Sequence, residues 1–420
     1  MAKIVLATFG SLGDLHPFLA LAIELRGRGH KIVLATMEFY REKIEMMDFE
    51  FCSVRPDIDF EEAKEMMPDL MDAKKGPVKM LKEIVFPHLR AAYEDLIEAV
   101  KDADLLISAE VVCAAPSVAE KSGIKWISIG LSPVTTFSAT DPGVFPTAQW
   151  LRHFHFLGAG FHRAMFRVMR LTIRHWFEPF KEFRRGIGLS EEHNPIFDDK
   201  YSDLLHLALF SKVLAKPQPD WHQPTLQIGF CFYDGQSDMG IMPEDLEKFL
   251  DAGEPPIVFT LGSAAVMDAR DFFEVSARAA KILNRRAVLL YGIFNQPPKE
   301  TDENIAAFDY APYSKIFPRA ACVVHQGGVG TTGQVLRAGV PALIMPYSHD
   351  QPDNAARCER LGTAKTISRE KYSPETASKL LRELIADASY KKNAIEAAKI
   401  VQSEHGTKIA CDAIEKILEK

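Results

Sequence analysis

One apolar run, Ala321-Cys-Val-Val324, passes without a spacer through His325-Gln-Gly-Gly-Val-Gly-Thr-Thr332 into the helical pattern Gln334-Val-Leu-Arg-Ala338. The run has strand character, and the three glycines of the block supply the tight bend needed to turn straight into a helix. That geometry aims unpaired N–H groups and the positive helix end at one point, which is where an anion binds. Gly327, Gly328 and Gly330 lack the Cβ that would hold a diphosphate off the backbone. Thr331 and Thr332 offer hydroxyl donors, and His325 adds a donor at the strand end. A plain strand-to-helix joint also uses glycine, so the flanking sequence has to decide between the two readings.

Downstream, Gly339-Val-Pro-Ala-Leu-Ile-Met-Pro346 is a second apolar strand bounded by proline, followed by the polar cluster Tyr347-Ser-His-Asp-Gln-Pro-Asp-Asn354. Two neighbouring strand ends thus present a phosphate site beside a polyol-type site. In these blocks the chain resembles the C-terminal half of inverting, nucleotide-sugar-dependent glycosyltransferases of the UDP-glycosyltransferase superfamily. The likeness is to the bacterial branch related to sterol, glycopeptide and rhamnolipid glycosyltransferases. His325, Gly327, Gly328, Gly330 and Thr331, then Gly339-Val-Pro341, then Asp350-Gln351 match its motifs in order. The resemblance implies an α/β chain with two Rossmann-like domains facing across a cleft, the GT-B fold. It further implies that the glycine block holds the donor diphosphate and that Asp350 and Gln351 bind sugar hydroxyls.

A chain of 420 residues exceeds what one core usually supports, so two domains are expected. Strand-turn-helix units recur from residue 3 and again from about 256, each half reading as parallel α/β with apolar strands separated by helices. Expected strands are 4–9, 32–37, 104–108, 126–130 and 204–210, then 256–261, 287–291, 305–310, 321–325 and 341–345. Three prolines within Lys216-Pro-Gln-Pro-Asp-Trp-His-Gln-Pro224 break the pattern. The expected division is therefore an acceptor domain over 1–212, a passage over 213–250 and a nucleotide-sugar domain over 251–390. The resemblance adds a final helix over 391–420 that crosses back to the first domain.

The first strand runs into Phe9-Gly-Ser-Leu-Gly-Asp-Leu-His-Pro17 and an amphipathic helix expected over 18–28. Gly10-x-x-Gly13 lacks the third glycine of a dinucleotide fingerprint, and only Glu38 stands near the place of its ribose-binding acid, so an NAD site is a poor reading. The stretch resembles instead the N-terminal signature of the same glycosyltransferase branch, matched by Gly10, Ser11, Gly13, Asp14 and Pro17. Attack by an acceptor hydroxyl requires a base on the acceptor side of the cleft. The resemblance places Asp14 there, with His16, of ordinary pKa near 6.5, as the alternative. Asp14 would alternatively serve as a helix N-cap. Glu110, at the end of the strand Asp104-Leu-Leu-Ile-Ser108, stands where the family places an acid that orients the base; the competing reading is an ordinary solvated loop glutamate.

The resemblance carries the donor site further. Ser263, after Thr260-Leu-Gly, would meet the diphosphate, and Gly13 would border it. Tyr310 would stack on the pyrimidine while the main chain at Ala311 reads its edge. Tyr313 replaces the family's usual glutamine, and Gly333 stands where plant-type members carry a ribose-binding glutamate, so UDP and dTDP donors both stay open. No metal or other cofactor is expected beyond the nucleotide-sugar co-substrate. Asp57-Ile-Asp59 and Asp102-Ala-Asp104 read as solvated carboxylates, and the helix end and hydroxyls of the glycine block are expected to offset the leaving charge.

Net charge of −7 argues against a nucleic-acid partner. Six scattered cysteines without a CxxC pair indicate neither zinc nor a disulfide framework, and with no signal peptide or long apolar run the expected location is the cytoplasm. Acceptor recognition is the least legible part. Arg163, Arg167, Arg170 and Arg174 recur at helical spacing beside a face of Phe166, Met169, Ile173 and Phe177. The stretch 152–185 is expected either to wall the acceptor cleft or to touch an anionic lipid surface. Met66, Met67, Met71, Met80 and Phe86 read as pliable pocket lining or as core. The resulting expectation is transfer of a hexose, glucose by default, from a UDP- or dTDP-sugar to a hydroxyl of a hydrophobic small molecule or lipid. Rhamnose transfer to a hydroxy-lipid, nucleotide-sugar epimerisation and non-catalytic lipid or nucleotide binding are the competing readings.

Overall fold

The computed structural model describes residues 1–235, 240–293 and 295–420. Seven parallel strands form the first sheet: β1 (Lys3–Ala7), β2 (Lys31–Thr36), β3 (Glu50–Ser53), β4 (Leu105–Ala109), β5 (Lys125–Gly130), β6 (His206–Ala208) and β7 (Thr225–Gln227), in the order β3-β2-β1-β4-β5-β6-β7. Six more form the second: β8 (Ile257–Thr260), β9 (Ala287–Leu290), β10 (Ile305–Phe308), β11 (Cys322–His325), β12 (Ala342–Ile344) and β13 (Ala364–Thr366), in the order β10-β9-β8-β11-β12-β13. β1, β4, β8 and β11 are fully or almost fully buried, because helices cover both faces of each sheet. Strand order reverses between β1 and β4 and again between β8 and β11. Chain segments part at such switch points and leave a crevice at the strand ends. The turns after β1, β4, β8 and β11 are those that carry Asp14, Glu110, Ser263 and the 325–332 block.

The structure departs from the sequence expectation in several places. β3, β7 and β13 were not anticipated; they are three or four residues long and lie at or beside sheet edges, where one-sided pairing asks for no continuous apolar run. β7 falls inside the expected passage over 213–250 yet pairs with β6 through Ala208 and Gln227, and the helix Glu244–Asp251 packs Leu246 and Leu250 into a core cluster with Val258 and Val288 of the second sheet. Residues 236–239 of that stretch lie outside the described residues. The helix after β1 begins at Leu12 and not at 18, with Pro17 inside it. Pro17 cannot donate to the Gly13 carbonyl, so the first turn keeps one carbonyl outside the helical ladder. The expected last helix is two: Ala388–Ser403 places Ala397 and Val401 in the core cluster of β8 and β11, and Gly406–Leu418 places Ala410, Cys411, Ile414 and Ile417 in the core of the first sheet.

Buried contacts tie the two halves together. Helix Phe60–Leu70 contributes Met67 and Leu70, with Met71 after it, to the core cluster that holds Phe259 and Leu343, so this methionine-rich segment is shared core. Arg357 of helix Gln351–Arg360 is 2% exposed; its Nε donates to Asp353 at 2.7 Å, and its guanidinium also donates to Asp141 and, at 3.2 Å, to the Leu214 carbonyl. Asp353 in turn accepts the Val144 N–H at 2.9 Å.

Candidate active site

The turn after β1 is built around a carboxylate. Ser11 is the N-cap of helix Leu12–Gly27 and Asp14 its third residue, and each side chain accepts a hydrogen bond from the other's end of a capping box. The cap is therefore Ser11, not Asp14. Gly10, at φ +125°, leaves no alternative residue: a Cβ there would stand 2.5 Å from Asp14 Oδ2. The Asp14 carboxylate accepts the Ser11 N–H at 2.8 Å and the Ser11 hydroxyl at 3.1 Å. These bonds favour the charged form, but desolvation outweighs them and pushes the carboxyl up to about 6. His16, by contrast, has its Nε2 buried without a hydrogen-bond partner and its ring 5.0 Å from that of Tyr233. Burial, aided by Lys43, pushes it down to about 3, so at neutral pH it is an uncharged and weakly basic ring.

The turn after β11 faces this carboxylate. Gly328 caps helix Val329–Ala338, and Gly327 adopts φ +91° against Ile344 and the Gln351 carbonyl. His325 Nδ1 accepts the Gly327 N–H at 3.0 Å, which leaves the proton on Nε2. That Nε2 and the Thr332 hydroxyl are buried without partners, two donors that an oxyanion at the turn would satisfy. Burial pushes His325 down to about 3, so it offers a hydrogen bond and not a charge. Gln326, which the sequence did not single out, lies between the turns: a Cβ on Gly262 would stand 2.3 Å from its amide nitrogen, and one on Gly328 2.8 Å. Gly327→Ala forces a Cβ to within 2.9 Å of Ile344 and 3.0 Å of the Gln351 carbonyl at a positive φ. A loss of about 1–3 kcal/mol in guanidinium unfolding and weaker nucleotide binding in calorimetry are expected; unchanged values for both would remove the requirement for glycine.

Asp350 braces the turn after β11. Its carboxylate accepts the Val329 N–H at 3.1 Å and the Asn354 amide at 2.7 Å. Burial pushes it up to about 7, Asn354 opposes the rise and the charge of Asp14 adds to it. Asp14 of the first domain and Asp350 of the second therefore feel each other across a gap where a Cβ on Gly330 would stand 4.0 Å from the Gly13 Cα. His349 precedes Asp350 in the left-handed region, at φ 57°, and its Nε2 lies 3.0 Å from the Leu70 carbonyl. Gln351 is differently engaged: its Oε1 accepts the N–H groups of Tyr347 and Ser348 at 2.8 and 3.4 Å, closing its own loop.

On the nucleotide side, Tyr310 follows β10 half-buried, and Ala311 is buried beside it. Tyr313 turns into the core, bonded to the Thr260 hydroxyl at 2.7 Å and stacked on Phe317 at 4.4 Å. A Cβ on Gly333 would lie 3.0 Å from the Phe230 ring, so Phe230 fills the space that a glutamate at this position would need. Ser263, half-buried, follows Gly262 at the end of β8.

Glu110 is largely buried at the end of β4 among partners from other segments. Its carboxylate pairs with Lys200 at 3.2 Å and faces His206 Nε2 at 3.6 Å. Ser128 lies 2.9 Å from the other nitrogen of His206, and Gly130 leaves room for the Glu110 and His206 side chains. Burial raises the Glu110 carboxyl and lowers the Lys200 ammonium, so the pair is sustained by mutual contact. Both Asp-x-Asp pairs have local duties: Asp59 caps helix Phe60–Leu70 through the Glu62 N–H, Asp57 accepts the Ser53 hydroxyl, and Asp104 accepts the Lys3 N–H. The face Phe166, Met169, Ile173 and Phe177 packs inward, Phe166 against Phe137 and Phe145, and Phe177 against Phe86 and Phe197. Among the described residues, no helix is long and apolar enough to cross a membrane.

Comparison with known proteins agrees with this architecture. Residues 4–139 match the glycosyltransferase family 28 N-terminal domain, and residues 296–415 match the C-terminal domain of erythromycin biosynthesis protein CIII-like enzymes. O-mycaminosyltylonolide 6-deoxyallosyltransferase of Streptomyces fradiae is 30% identical over 99% of this chain and 98% of its own length. A sterol 3-beta-glucosyltransferase of Komagataella phaffii is 26% identical over 99% of this chain, which spans 34% of that longer protein. Glycosyltransferase VinC, solved in complex with dTDP, superposes with a TM-score of 0.68 at 19% identity, over 99% of each chain, which establishes a shared fold. These matches set aside the epimerase and non-catalytic readings: the chain belongs to the GT-B glycosyltransferases with a family 28 N-terminal domain, enzymes that transfer sugar from nucleotide sugars.

Proposed function

We propose that the enzyme moves a hexose from a nucleotide diphosphate sugar to a hydroxyl of a hydrophobic small-molecule or lipid acceptor, with inversion at the anomeric carbon. The diphosphate sits at the 325–332 turn, the sugar hydroxyls at Asp350, and the acceptor in the first domain. As the acceptor oxygen bonds to the anomeric carbon, its proton passes to Asp14, and the diphosphate departs with the electron pair of the broken bond. The approach of the turn carrying Asp14 to the 325–332 turn, where a Cβ on Gly330 would stand 4.0 Å from the Gly13 Cα, is the observation that carries this reading. In-line displacement needs the base and the leaving-group site on opposite sides of the sugar. The helix end at Val329, the neutral His325 and the Thr332 hydroxyl offset the diphosphate charge without a cation.

UDP-glucose is the first donor to test, in keeping with the sterol glucosyltransferase relative. A dTDP-linked 6-deoxyhexose such as rhamnose is the second, favoured by the 6-deoxyallosyltransferase relative. Nucleotide diphosphate release should depend on one of these donors and on a hydroxylated hydrophobic acceptor, and should persist in EDTA. Chromatography of the reaction checks this; acceptor-independent release, or release abolished by chelation, would refute the transfer step or its metal independence respectively.

A further inference from the structure

We infer that the outward side of helix Gly158–Ile173, with the segment Pro146–Leu157 that leads into it, is a docking face for an anionic lipid surface. The helix buries one apolar stripe already: Phe166 lies 6.1 Å from both Phe137 and Phe145, and Met169 and Ile173 pack onto the first-domain core. A helix on a soluble domain needs only one such stripe. A second runs through Leu157, Phe161, Ala164, Val168 and Leu171, whose alternating steps of four and three residues keep them on one side of the helix. This stripe is left uncovered, with Leu157 44%, Val168 55% and Leu171 65% exposed. The preceding segment extends it with Trp150, 55% exposed, and Phe156, 79% exposed, linked through the Phe154 ring at 5.7 and 6.3 Å.

Charge identifies what covers this surface. From 146 to 177 the chain carries five arginines and no aspartate or glutamate, although the whole chain has a net charge of −7. Arg163, Arg167, Arg170 and Arg174 form a band between the buried stripe and the exposed one, and all four are exposed. Arg170 answers to Asp198 at 2.8 Å, and Arg163, Arg167 and Arg174 extend the band on either side of it. An apolar stripe rich in aromatic rings and flanked by arginines fits the boundary between acyl chains and anionic headgroups. A second copy of the chain fits poorly, because a two-fold contact on this face would set each arginine band against its own copy. The acidic remainder of the molecule would be repelled by such a surface, so the same face also fixes the orientation.

This inference does not rest on the donor or acceptor proposed above, and its test needs neither. The full chain is sedimented with vesicles of phosphatidylcholine containing about a third phosphatidylglycerol, and with pure phosphatidylcholine, at low and high salt. Binding is expected with the anionic vesicles alone and is expected to weaken with salt. Val168→Ser with Leu171→Ser, and separately Arg163→Gln with Arg167→Gln, should each lower the partition coefficient about tenfold. The residues are exposed, so thermal unfolding should be unchanged, and a shifted transition would be answered by the second pair of substitutions. Absence of binding to the anionic vesicles, binding that both pairs leave intact, or a dimer in sedimentation velocity that Val168→Ser with Leu171→Ser dissolves would overturn the inference.

Discussion

Asp14→Asn is expected to lower kcat by about 10²- to 10⁴-fold, the usual worth of a positioned general base, while leaving the fold intact. The asparagine oxygen still accepts the Ser11 N–H, so the capping box keeps its acceptor. The wild-type profile supplies the second signature. A base that works ionised and is pushed up to about 6 should make kcat/KM rise with pH through about 6 and level off above it. Stability runs the other way. The folded carboxyl holds its proton more tightly than the unfolded one, so its contribution to stability is present below the unfolded value of 3.8 and is lost as pH rises towards about 6. Asp14→Asn does not titrate; relative to the wild type it should gain midpoint temperature at pH 8 and lose that gain at pH 4. If the variant is destabilised at pH 8 yet keeps kcat within a few fold, Asp14 is only the third residue of a capping box.

Arg357→Met should be the most destabilising single change at the domain junction, at about 3–5 kcal/mol in guanidinium unfolding. It removes the partner of Asp353, itself 1% exposed, and strands that charge inside the protein. The cost is that of an uncompensated buried charge, not the net worth of the ion pair. Pairing Arg357→Met with Asp353→Asn should therefore recover much of the loss, since the asparagine stays neutral and its oxygen still accepts the Val144 N–H. A loss below about 1 kcal/mol in the single variant, or a double variant as weak as the sum of both singles, would refute this account. The network spans Asp141 and Val144 on one side and helix Gln351–Arg360 on the other, so the single variant should also raise the donor KM by loosening the setting of Asp350.

Legibility followed burial. β1, β8 and β11 were readable because strands covered on both faces must be continuous apolar runs. β3, β7 and β13 were not, being short strands at or near the sheet edges with polar residues at open positions. The glycine turns were readable because Gly10 and Gly327 hold positive φ against close neighbours, a demand that only glycine meets cheaply. Glu110 was located at its strand end but not given its partners, since Lys200, His206 and Ser128 come from other segments and carry no mutual spacing signal. Gln351 was readable as a polar residue beside Asp350, but its engagement with the Tyr347 and Ser348 N–H groups depends on how one loop closes.

The sequence by itself determined the two parallel α/β halves, the strand-end turns that carry chemistry and the glycosyltransferase likeness, because periodicity and backbone requirements are local properties. Only the tertiary structure decided that Ser11 and not Asp14 is the cap, that Phe230 fills the space beside Gly333, and that the turns at Gly13 and Gly330 come together. Local sequence states which groups a residue carries. The proton affinity of a carboxylate and the space beside a glycine depend on what distant segments bring within a few ångströms, and that is set by packing.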